Sequence, residues 1–110
     1  MTEPYLREKF ANALSGLATS PAPVWERVRN AMVILVMFQP EDMPDTWSRK
    51  EFARLEYLST DREAEAGEGQ LAATLERMPG DELRELADII LQLHDHLLRR
   101  TDPAYAAAQE

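Results

Sequence analysis

The amino-acid sequence predicts an all-α protein, a small bundle of about five helices. Three observations predict it. The apolar residues of each periodic run recur at three- and four-residue intervals, every break between runs carries Pro or Gly, and the one strand-like stretch has no convincing partner. At 110 residues the chain is one domain, expected to occupy residues 1–103 with a frayed tail over residues 104–110.

The first helix opens at Thr2-Glu3-Pro4, an N-cap followed by Pro in a first turn. Leu6, Phe10, Ala13, Leu14 and Leu17 carry its apolar face to about Ala18, and Ser20-Pro21-Ala22-Pro23 breaks it. The second helix, Val24 to Phe38, is the most hydrophobic segment and changes character halfway. Val24, Val28, Ala31, Leu35 and Phe38 share one face, and Glu26, Arg27, Arg29 and Asn30 fill the opposite arc. One turn later that arc turns apolar, with Val33, Ile34 and Met37 where polar residues would recur. Val33-Ile34-Leu35-Val36 is also β-branched enough for a buried strand, but the helical period starts nine residues earlier.

Gln39 to Asp45 is a connector with two prolines and three acids. Ser48 and Glu51 then stand at capping-box spacing, with Trp47 and Phe52 as a hydrophobic staple, and predict a third helix from about Arg49 to Leu58. The segment Asp61–Gly69 is acidic and broken by two glycines. Its alternating acids fail as a calcium loop, because Ala66 and Ala72 stand where the turn glycine and the bidentate glutamate belong. A solvated connection is expected there, followed by a short helix marked by Leu71, Leu75 and Met78. Leu83, Leu86, Ile90, Leu93 and Leu97 form the seam of a long last helix, widened by Ile89, Leu91 and Leu98 and closed by Asp102-Pro103.

Twenty acids against twelve bases leave a net charge of −8, which disfavours nucleic acid and anionic membranes as partners. The chain has no cysteine, hence no disulfide, thiolate nucleophile or Cys-based zinc site. MTEPYLREKF lacks the apolar run of a signal peptide, and Ala31–Phe38 is far shorter than the roughly 20 residues of a membrane span. The expected location is the cytoplasm.

Candidate chemistry is sparse. His94-Asp95-His96 suggests a metal, but helical zinc ligands stand four residues apart, and residues 90, 92 and 98 are Ile, Gln and Leu. His94 is expected on the apolar face as a core histidine, with a pH switch as the sharper alternative, and His96 on the polar side beside Gln92. Glu82, Glu85, Asp88 and Asp95 form an acidic face, ordinarily a solvated one. No phosphate loop, nucleophile elbow or paired-carboxylate pattern occurs. No cofactor, metal or catalytic residue is therefore assigned, and an enzyme is not expected.

What remains is surplus hydrophobicity. Either neighbouring helices wrap the second helix completely, or another chain covers Val33, Ile34 and Met37, with Met43 adding an adaptable side chain to the same surface. The second alternative makes this an interaction protein and a homodimer. In size, acidity, lack of cysteine and helical pattern, the chain resembles the small bacterial antiactivators of LuxR-type quorum-sensing regulators. That resemblance implies binding to the regulator's ligand-binding domain and restraint of a transcription regulator, without assigning residues. A helical antitoxin or secretion chaperone shares this character, and a small-molecule sensor or enzyme is the third class.

Overall fold

A computed structural model describes residues 2–60, 68–101 and 104. Five α-helices account for most of them: α1 (Glu3–Thr19), α2 (Val24–Leu35), α3 (Thr46–Leu58), α4 (Glu68–Arg77) and α5 (Gly80–Thr101). One 3₁₀ turn, Pro40–Asp42, sits between α2 and α3, and no strand occurs among the described residues. The expected solvated connection and frayed tail fall largely on residues 61–67 and 105–110, and the expected closure on residues 102 and 103. All of these lie outside the described residues.

The long α5 is the floor of the bundle. Its seam residues Leu83, Leu86, Ile90, Leu93 and Leu97 are all buried, as their spacing predicts. Ile89 joins them, whereas Leu91 stays exposed and Leu98 half-buried. The other helices pack around it: α1 lies on α2 and α5, α3 on α5, and α2 also on α4 and α5. Phe10 of α1 meets Phe52 of α3 edge to face across the core, with centroids 6.3 Å apart.

Local chemistry fixes the helix ends. Thr2 caps α1 by accepting from the Tyr5 N–H. Arg27 donates to the carbonyls of Leu17 and Ala22, satisfying one of the last carbonyls of α1 and tying it to α2. Helix α2 stops three residues earlier than its apolar period suggests. Pro40 forces Gln39 into extended backbone, so the helix must end before it. Phe38 nevertheless remains in the core.

The start of α3 also differs from expectation. Asp45, not Ser48, is the N-cap, and Ser48 completes a capping box with it from the third helical position. Asp is at least as good a cap as Ser, and its negative charge suits a helix N-terminus. Its side chain also gains partners from α5, which Ser48 could not.

Candidate interaction surface

Helix α2 decides where the apolar surplus goes. Val33 and Met37 are each 59% exposed, and Val36 beside them is 61% exposed. The three lie at i, i+3 and i+4, which places them on one side of the helix end. Ile34 is half-buried against the core and only borders this surface. Met43 does not belong to it. It is 1% exposed, a full core residue. The cause is the turn after α2: the chain reverses through Pro40–Asp42, and the Phe38 and Met43 side chains on either side of that turn are both returned inward. Arg49 then holds the connector by donating to the Met43 carbonyl at 3.0 Å.

Val36 stands three residues from Val33, which puts it on the same side. It also forms one wall of a groove of about 270 Å³. Met32 and Leu35 of α2, Phe52 and Glu56 of α3 and Leu71 of α4 also line this groove. The groove exists because α3 packs on α5 while α4 packs on α2, which leaves a slot between them. Desolvation raises the Glu56 carboxyl above its ordinary 4.5, and the nearby charge of Glu41 on the 3₁₀ turn raises it further.

A second cluster draws polar residues together at the other end of α3. Asp45 accepts from the Ser48 N–H at 2.9 Å and from the Ser48 hydroxyl at 2.7 Å. Its other oxygen accepts from His96 Nε2 at 2.6 Å and from Arg100 at 3.4 Å. Arg100 also pairs with Glu3 at 2.7 Å, so one clasp joins the starts of α1 and α3 to the end of α5. Trp47 covers it, its ring centroid 4.8 Å from that of His96. Burial alone would raise the Asp45 carboxyl. The Ser48 backbone and hydroxyl bonds, then the His96 hydrogen bond and charge, outweigh that and hold it down at about 2.

The clasp unites a hydroxyl, a carboxylate and an imidazole, but in an order unsuited to making a nucleophile. The imidazole and the hydroxyl bind opposite oxygens of one carboxylate, whereas activation needs the base on the hydroxyl itself. Ser48 is also fully buried. The arrangement fixes helix ends. His94, expected on the apolar face, is half-buried with Nδ1 3.3 Å from Asp95. Among the described residues no group of three or more His, Asp or Glu is placed to hold a metal ion, and no helix is long and apolar enough to cross a membrane.

Most arginines that could have made a basic surface are engaged within the fold. Arg54 pairs with Glu51 and Glu85, Arg29 pairs with Glu26 and lies over the Trp25 ring, and Arg27, Arg49 and Arg100 make the contacts above. Comparison of the chain with protein-family models, curated proteins and solved structures finds no match.

Proposed function

We propose that this chain is a protein-binding regulator whose docking surface is the bare end of α2 and the groove beside it. The observation that carries this reading is the exposure of Val33, Val36 and Met37 together at the end of a helix whose Val28, Ala31, Met32 and Leu35 are buried. Fully burying an aliphatic side chain is worth about 1.5–3 kcal/mol. With each of these three already partly covered, a partner recovers about 1 kcal/mol per residue, or about 3 kcal/mol in all. A micromolar complex needs about 8 kcal/mol. The three side chains therefore act together with the groove, in the way a hydrophobic groove takes the apolar stripe of one helix.

In size, acidity and helical character this resembles the antiactivators, and the partner class proposed here is accordingly a transcription regulator held in restraint. The test is affinity capture from the source cytoplasm with tagged wild-type protein and tagged Met37→Asp side by side, the recovered proteins being identified by mass spectrometry. A transcription regulator recovered by the wild type and lost with Met37→Asp supports the reading. A toxin or secreted effector recovered in its place moves the function to the antitoxin or chaperone class. A partner held equally by both proteins removes the surface from the argument.

A further inference from the structure

The protein-binding reading leaves the partner's chemistry open, and the surroundings of the groove narrow it. The floor is aliphatic and aromatic, from Met32, Leu35, Phe52 and Leu71. Its rim is acidic. Glu56 stands in the groove wall, and Glu41 is close enough to act on it through charge. The C-terminal end of α2, which carries the negative pole of the helix dipole, points the same way. No Lys or Arg lines this groove among the described residues. The nearest base on the same helix, Arg29, is paired with Glu26 and stacked over Trp25.

We propose that the groove and the bare end of α2 receive an amphipathic helix of another protein, one that presents aliphatic side chains flanked by Arg or Lys which meet Glu56 and Glu41. The inference rests on the protein-binding reading and adds the charge of the partner to it. A cation from the partner meets Glu56 in the groove wall, where no Lys or Arg among the described lining residues offsets that carboxylate. The same charges count against a second copy as the occupant. Self-association through this face sets the Glu41 and Glu56 of one molecule near those of the other, with a net charge of −8 on each.

The probes are three synthetic fluorescein-labelled helical peptides with one shared leucine stripe and flanking positions of Arg, Gln or Glu. Binding is read by fluorescence anisotropy. The Arg peptide is expected to bind wild-type protein at least about tenfold more tightly than the Gln peptide, with the Glu peptide weakest. The double variant Glu41→Gln/Glu56→Gln should remove most of that preference, as should raising the salt to about 0.5 M. Glu8→Gln/Glu82→Gln makes the same change in net charge at two exposed positions outside the groove, and is expected to leave the preference intact. If it removes as much as the groove pair does, bulk charge is responsible and the proposal fails. Equal binding of the Arg and Gln peptides, abolished by Val36→Asp, keeps the apolar surface and overturns the basic partner. Failure of every peptide to bind more tightly than about 0.1 mM overturns both. A wild-type dimer that hides the face and is dispersed by Val36→Asp would assign it to a second copy instead. Circular dichroism of each variant confirms that the helices remain.

Discussion

Asp45 is the residue whose loss should be felt furthest along the chain, and pH provides a clean way to measure it. Its carboxyl is held at about 2 against an ordinary 3.8. The folded protein thus keeps this group ionised at pH values where the unfolded chain binds a proton. Between about pH 4 and pH 2 the unfolded state carries more protons, so stability falls as the pH drops through that window. Above it both states are ionised and the contribution is complete. A depression of this size corresponds to about 2 kcal/mol, and because 32% of the side chain faces water the measured value should be about 1–2 kcal/mol. Asp45→Asn preserves the shape and most of the capping ability while removing the charge that holds His96 and Arg100. Urea unfolding of both proteins at a series of pH values from 7 to 2 is the assay. The variant should lose about 1–2 kcal/mol at pH 7, and the difference between the two curves should close between pH 4 and pH 2. Twenty acids contribute to the absolute slope, and those that do not touch the Asp45 cluster cancel in the difference. A gap that stays constant down to pH 2 would refute the electrostatic account and leave only a packing effect.

Three further outcomes follow from the burial pattern. Leu35→Ala should cost about 2–5 kcal/mol in a urea or thermal melt, the range for a fully buried leucine, while Met37→Asp should stay within about 0.5 kcal/mol of wild type; equal losses would place the exposed arc in the core. Met43→Asp, which puts a carboxylate in a core site, should cost more than about 4 kcal/mol and abolish the cooperative melt. Glu56→Gln should raise the melting temperature at pH 7, because the folded state disfavours the charged carboxyl there, and the gain should fade as the pH falls towards 4.5.

The helices were legible because each seam repeats faithfully. Leu83 through Leu97 on α5, and Leu6, Phe10 and Ala13 on α1, could be placed on buried faces from spacing alone. What escaped depended on contacts distant in sequence. Asp45 and Ser48 are comparable caps by residue type, and the additional partners of Asp45, His96 and Arg100, lie 51 and 55 residues away. His96 was assigned to a polar side for the same reason, without the ring of Trp47 that covers it. Met43 is expected on the surface because a methionine adds an adaptable side chain to it. The reversal at Pro40–Asp42 instead turns it in. The exposed arc itself was half visible. Val33, Val36 and Met37 share a side by their spacing, but the groove depends on the placement of α3 and α4.

The bare end of α2 is a consequence of topology, and that sharpens what its composition means. Helix α2 has α1, α4 and α5 as neighbours, and soon after its last turn Pro40 compels the chain to leave helical backbone. Val33, Val36 and Met37 on the outer side of that turn are about 60% exposed among the described residues, so folding places little apolar demand on these positions. Ser, Lys or Glu at any of them would be tolerated within about 0.5 kcal/mol, and would lower the tendency to aggregate. The core residues of the same helix, Val28, Ala31 and Leu35, allow no such exchange. Valine, valine and methionine at these three positions, beside an apolar groove, are what supports the proposal that another protein docks here.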